Sequence, residues 1–478
     1  MDVNNNVPKS TRRSADYHPS VWGDYFLAYD SSLTEIDHEE EEEEVERLKD
    51  EVRKMLVAAH ASTRKLLELI DNTQRLGVSY HFEKEIEESL KHIYNMSCDE
   101  FDDQNNLETV ALQFRLLRQA GYNVSSDVFK TFKEDEGNFK DELLSDVKGI
   151  LSLYEAAHLG VDGENILEEA LAFTTKCLKS MVPNLCGFLV TQVIHALKMP
   201  IRKTLARVAA RQYILMYQDN PEHNEVLLKF ARLDFNMLQK AHQKELSSIT
   251  RWDINVSQHL PPYLKLLYHY IFDTYAEMED LLAKENISYR VNYAKTELKK
   301  VVKAYYQEFK WYHAGYVPTF EEYLKVALVT ACYMMLSTTS LVGMGEELVS
   351  EENLRWITSE PLMVKASSIV CRLMDDRIGH KFEQERGHVA SAVESYVKEF
   401  GCSKQEAYVR IEKLVVNAWQ DINKDFLHPL PAPMPILMRV LNLTRAINLL
   451  YKDEDIYTNS KTKLKDIIDK VLVQPFKI

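Results

Sequence analysis

Scarcity of chain breakers is what most constrains this sequence. Only 14 Gly and 14 Pro punctuate 478 residues, and clusters of β-turn residues are absent. Long unbroken stretches with apolar residues at helical spacing predict an all-α chain. With 45% hydrophobic residues it has ample core material, and its length suits two or three domains. The net charge of −15 argues against a nucleic-acid surface. It would also repel an anionic substrate unless metal ions invert the local field. Six cysteines (98, 177, 186, 332, 371 and 402) show neither metal-type nor paired spacing, so they read as reduced thiols. No apolar run is read as long enough to span a membrane. Residues 1–20 carry neither a signal-peptide apolar segment nor a long Ser/Arg-rich transit region.

One stretch carries candidate chemistry: Arg372, then Met374-Asp375-Asp376-Arg377-Ile378-Gly379-His380-Lys381-Phe382-Glu383, then Arg386. Read as helix, positions 375, 379 and 383 differ by about 40° and about 80° around the axis. Asp375 and Glu383 therefore share a face, with Gly379 between them. Two carboxylates flanking a bare backbone can hold a hard cation and leave room for water and substrate oxygens. Arg372 and Arg386 sit a turn outside and could hold phosphate. The alternative from spacing alone is a solvated acidic face that merely supports a helix.

The pattern Asp-Asp-x-x-Gly-x-x-x-Glu, continuing Gln-Glu-Arg-Gly-His-Val-Ala-Ser-Ala-Val-Glu-Ser-Tyr, resembles the second metal motif of plant class I terpene synthases. Arg377 replaces the usual aliphatic residue, and Gly379 lacks the hydroxyl a Ser or Thr would offer. Near the start, eight residues separate the pair Arg12-Arg13 from Trp22, similar to the Arg-Arg-x8-Trp signature of the same family. The resemblance implies a strand, residues 1–22, folding across an active-site mouth. It also implies an N-terminal helical domain over 23–218 and a metal-binding α-bundle over 219–478. The polar break Gln218-Asp219-Asn220-Pro221-Glu222 marks that boundary. The position of the arginine pair favours a cytosolic, sesquiterpene-type enzyme. The run Glu39–Glu44 is either a solvated helix start or a disordered acidic loop.

The resemblance implies Mg²⁺-assisted loss of diphosphate from farnesyl diphosphate, with Mn²⁺ a possible substitute, followed by cyclisation, in a monomer with no nucleic-acid partner. Asp375, Gly379 and Glu383 would frame the metal, Arg372 and Arg386 would hold the leaving group, and Asp455 and Tyr457 would close the lid. In the lid, Ile456 stands where the family has Gly, which withdraws easy access to positive φ. Thr338-Thr339-Ser340-Leu341-Val342-Gly343-Met344-Gly345 matches a kinked pocket helix or, equally, an ordinary helix end.

One block is missing. Ser247-Ser248-Ile249-Thr250-Arg251-Trp252 runs straight into Asp253-Ile254-Asn255. Two phrases that the family separates by several helices appear here merged, near 252–253, and the Asp-Asp-x-x-Asp motif between them is gone. Neither Asp102-Asp103 nor Asp273 with Glu277 reproduces it; the latter reads as a solvated face. Two readings stay open. One is a sesquiterpene synthase with impaired activity. The other is an inactive splice form or decayed copy acting at most as a helical interaction protein. A chain-elongating prenyltransferase is disfavoured, since it needs two Asp-rich motifs.

Overall fold

The computed structural model describes Trp22, Tyr25 and residues 38–96, 105–134, 137–250, 262–345, 347–385, 389–458 and 463–477. Arg12, Arg13, Arg386, Asp102, Asp103 and the 252–253 junction lie outside them. The chain is all-α; the only β feature among the described residues is an isolated bridge between Lys133 and Phe139.

The first half holds α1 (His38–Ala59), α2 (Thr63–Arg75), α3 (Glu83–Asn95), α4 (Leu107–Gln119), α5 (Val147–Ala157), α6 (Asn165–Met181), α7 (Gly187–Lys198) and α8 (Ala206–Gln218). The long α9 (Glu225–Thr250) packs back on α1. Glu40–Glu44 lie in the first turns of α1, so the acidic run is helix here. Lys229 and Lys240 of α9 pair with Glu44 and Glu41. His81 is a packing residue, bonded to Asp234 of α9 at 2.8 Å.

The second half holds α10 (Pro262–Ala283), α11 (Tyr289–Ala314), α12 (Phe320–Thr330), α13 (Tyr333–Leu341), α14 (Glu351–Thr358), α15 (Leu362–Glu385), α16 (Ala392–Phe400), α17 (Lys404–Asp425), α18 (Met434–Tyr451) and α19 (Lys463–Ile468). Helix α15 runs through the middle, buried against α12, α13, α16, α17 and α18. Small residues let it approach them: Ser367 Oγ meets Thr444 Oγ1 of α18 at 2.8 Å. Asp425 of α17 accepts from Met363 N in its first turn, satisfying one of the orphan amides there. Capping boxes at Thr319, Ser391 and Ser403 start α12, α16 and α17.

One open reading is decided here and one expectation is corrected. Helix α13 is regular through Thr338–Leu341 and ends there, as the ordinary-helix-end reading has it; a break lies earlier, at Ala331–Cys332, where Cys332 takes φ of 66°. That left-handed residue frees the Thr330 carbonyl, which accepts from Tyr305 Oη at 3.2 Å. The same region holds the correction. The 22 residues Phe320–Leu341 are long and apolar enough to cross a membrane, contrary to the sequence reading. In the fold they are the two helices either side of Cys332, and Tyr323, Ala327, Tyr333 and Leu341 are buried in the second-half core. Five cysteines among the described residues are free.

The halves are stitched by polar contacts from buried side chains. Asn423 Nδ2 donates to the carbonyls of His158 and Gly160, and its Oδ1 accepts from Arg202 Nε. Asn448 donates to Lys203 O. Phe476 is buried in the first-half core, its backbone held in two bonds by the Asn236 side chain.

Glu155 of α5 is buried within the first half and accepts from Ile201 N at 2.9 Å. Burial pushes its carboxyl up to about 7, against the pull of Arg115 and Arg75. The folded value lies above the ordinary one near 4.5. Stability held through this group is therefore complete below about pH 4.5 and lost as pH rises through about 7. Glu155→Gln is expected to flatten that loss and to stabilise the protein at pH 8 by about 2 kcal/mol. Urea unfolding at pH 5 and pH 8 checks it; equal pH dependence in both proteins would sink the assignment.

Candidate metal and diphosphate site

The fold places the acidic motif on α15 as its spacing predicts. A Cβ built on Gly379 would lie 3.6 Å from the Glu383 carboxyl carbon and 3.7 Å from Asp375 Oδ1. Both carboxylates thus lean over the bare backbone of Gly379, within van der Waals reach of one point. Burial pushes the Asp375 carboxyl up to about 7 against the pull of Arg372, with the neighbouring Asp376, Glu383 and Asp455 adding repulsion. Acids held together like this favour a proton or a cation between them.

The adjacent Asp376 has a different task. It is 2% exposed and accepts from Tyr323 Oη of α12 at 2.5 Å and from Ala392 N of α16 at 2.9 Å. It anchors α15 to both neighbours. A step of one residue turns a helix by about 100°, so Asp375 faces outward while Asp376 faces the core.

Arg372 does not stand free. Its guanidinium lies 3.3 Å from Asp375 and 3.4 Å from Asp376, and it also reaches Ala327 O and Thr330 Oγ1. In this state it orients Asp375 rather than waiting for phosphate. Arg377 sits 3.8 Å from Glu412 of α17 and points away from the pair.

Of the lid residues, Asp455 is near enough to raise Asp375 and also accepts from Thr458 N at 2.8 Å. Tyr457 is 67% exposed and lies open to solvent. Ile456 is buried, outside the left-handed region, with its N–H bonded to Leu450 O, so the loop forms without Gly. Trp22 is half-buried, its ring 5.9 Å from Lys465 Nζ of α19, just beyond the lid loop. Sequence reading missed Tyr451 at the end of α18, whose hydroxyl is pushed up by burial first and by the charges of Asp375 and Asp455 second. Its signal was present in the apolar periodicity of α18, which marks it as core and says nothing of its acidic neighbours. Among the described residues, no group of three His, Cys, Asp or Glu could hold a metal ion. Asp273 and Glu277 of α10 are exposed.

Two family profiles match the chain: the terpene synthase N-terminal domain over residues 21–197, and the terpene synthase family metal-binding domain over 243–421. The (−)-germacrene D synthase of Vitis vinifera is 46% identical, over 98% of this chain and 97% of that one. This chain belongs to the terpene synthase family. The (E,E)-germacrene B synthase of Solanum habrochaites is 44% identical over the same share of this chain. Isoprene synthase from grey poplar superposes with a TM-score of 0.82 at 27% identity, covering 97% of this chain and 99% of that one. A second crystal structure of that enzyme holds three Mg²⁺ ions and dimethylallyl-S-thiolodiphosphate. A limonene synthase with bound 2-fluorolinalyl diphosphate superposes at 0.85 and 25% identity, covering 98% and 100%. The germacrene D synthase alignment runs over 544 positions, 66 more than this chain has residues. At least that many positions of the relative therefore have no counterpart here.

The residues of α15 fit a divalent cation. The donors are hard carboxylate oxygens, two of them converge over Gly379, and their repulsion is what a cation relieves. They fit one such ion; the donors for a second cluster are not among the described residues.

Proposed function

We propose that this terpene synthase takes farnesyl diphosphate, with Mg²⁺ between Asp375 and Glu383, and that its ionisation step is severely impaired. The sesquiterpene-synthase relatives support the substrate class, and the three-ion isoprene synthase complex supports Mg²⁺. The observation that carries the impairment is the single carboxylate pair on α15, with no three-acid group among the described residues. These unmatched positions, at least 66, are attributed to the 252–253 junction, where the two Arg-Trp phrases are merged.

Bound Mg²⁺ would draw charge off the departing diphosphate. Asp375 and Glu383 would hold it, and Arg372 keeps Asp375 turned outward. Arg386 would meet the diphosphate oxygens, and closure of the Asp455–Tyr457 loop would exclude water that quenches a carbocation. Tyr457 has to swing inward for that.

A second reading, a non-catalytic helical protein, is favoured by the outer face of α11. Val302, Tyr305, Tyr306, Phe309 and Tyr312 follow helical spacing and are all exposed. Such a run of aromatic surface is what removal of covering helices would leave.

Mg²⁺ titration with thermal unfolding separates the two. The first reading expects a saturable rise in Tm at pH 8, lost in Asp375→Asn. Because the ion competes with a proton that leaves near pH 7, apparent affinity should fall about tenfold per pH unit below that point. An unchanged Tm at all Mg²⁺ concentrations would remove the metal site and leave the second reading.

A further inference from the structure

A cavity of about 270 Å³ lies at the seam between the halves, away from the Asp375 site. Four guanidinium groups line it: Arg75 of α2, Arg115 of α4, Arg202 between α7 and α8, and Arg445 of α18. No carboxylate is among its lining residues. Arg75 and Arg115 share Asp71, at 3.7 Å and 2.5 Å. The other two are held by neutral groups alone among the described residues. Arg202 Nε donates to Asn423 Oδ1 at 2.8 Å, and its plane lies 4.4 Å over the Phe426 ring. Arg445 donates to Arg202 O at 3.0 Å and to Asn442 Oδ1 at 3.1 Å. Arg202 is 3% exposed and Arg445 7%. Nη2 of Arg202 is fully buried and has no hydrogen-bond partner.

Two adjacent buried cations without a counter-charge are expensive, because burial strips water that nothing replaces. Burial lowers both, Arg202 to about 9 and Arg445 to about 10, so both remain charged at neutral pH. Planar guanidinium forks match the oxygens of phosphoryl groups. The cavity is smaller than a drug-sized ligand site and suits a small ion.

We propose that this cavity is an oxyanion site that binds inorganic phosphate or diphosphate between Arg202 and Arg445, without a metal ion. The site is independent of catalysis and of the α15 carboxylates.

The test uses the full chain in EDTA at pH 7.5 and constant ionic strength. Calorimetric titration with sodium phosphate and, separately, sodium diphosphate is expected to show one saturable site for at least one anion. The tighter of the two is the occupant. Arg202→Gln and Arg445→Gln should each weaken it at least tenfold, whereas Asp375→Asn should leave it unchanged. Should either arginine variant fail to fold, the wild-type protein still decides. Its Tm should rise saturably with the anion and stay flat with sodium chloride of equal ionic strength. No saturable binding of either anion, or binding indifferent to both arginine substitutions, would overturn the site. A changed affinity in Asp375→Asn, in either direction, would assign the anion to α15 instead, and that also overturns it.

Discussion

Incubated with farnesyl diphosphate and Mg²⁺, the chain is expected to release volatile sesquiterpenes about 10³-fold more slowly than a full-length relative. Loss of an allylic diphosphate separates charge, and enzymes speed such steps by fixed groups aimed at the leaving anion. Removing one such group commonly costs 10²–10³-fold. Here a whole carboxylate cluster is proposed to be lacking, while Asp375 and Glu383 remain converged over Gly379. Restoring a relative's segment between Trp252 and Asp253 should raise turnover at least about 100-fold on the same reasoning. Gas chromatography of the volatiles reads both arms. Wild-type turnover within tenfold of the relative, lost on Asp375→Ala, would overturn the impairment and show that one cluster suffices. A restored segment that changes nothing would move the defect elsewhere, to the lid around Tyr457 for example.

Asp376→Ala is expected to cost about 3–5 kcal/mol of folding stability, far more than Asp375→Ala. Asp376 accepts from Tyr323 Oη and Ala392 N and lies 3.4 Å from Arg372. Truncation strands a buried hydroxyl, the first free amide of α16 and part of a buried guanidinium's counter-charge. Each is a desolvated group left without its partner. Asp375, by contrast, already titrates near neutrality, so its removal relieves repulsion among Asp376, Glu383 and Asp455. Asp375→Ala should therefore leave metal-free stability unchanged or raise it. Urea unfolding of both variants in EDTA measures the difference. Equal losses in the two would mean that the neighbouring acids are not divided into an outward ligand and an inward anchor.

Only half of that division was legible before any coordinates: the spacing puts Asp375 and Glu383 on one face, whereas the anchoring role of Asp376 shows only in its bonds to Tyr323 and Ala392. The all-helical architecture was legible for a related reason: few glycines and prolines interrupt periodic apolar positions. The converging pair on α15 followed from a spacing of eight, four residues on either side of Gly379. The break between α12 and α13 was not legible. Thr330-Ala331-Cys332 holds neither Gly nor Pro, and the left-handed turn at Cys332 is imposed by packing and by Tyr305 bonding the freed carbonyl. The glycines at 343 and 345 mark only the end of α13, at Leu341. The state of Arg372 was also hidden. Sequence places it a turn before the acids, but only tertiary packing brings Ala327 and Thr330 to complete its bonding. Likewise Ile456 looked unsuited to a turn that turns out not to need positive φ.

Phe476 sits in the core built by α1 to α4, α8 and α9, with Asn236 clasping its backbone. A polypeptide emerging amino end first would hold that socket vacant for more than two hundred residues of synthesis. The leading half would wait, loosely assembled, until residues near 476 arrived to plug it. Bulky fusions placed directly after that plug would press on the seal of the far domain, not on the bundle from which they hang.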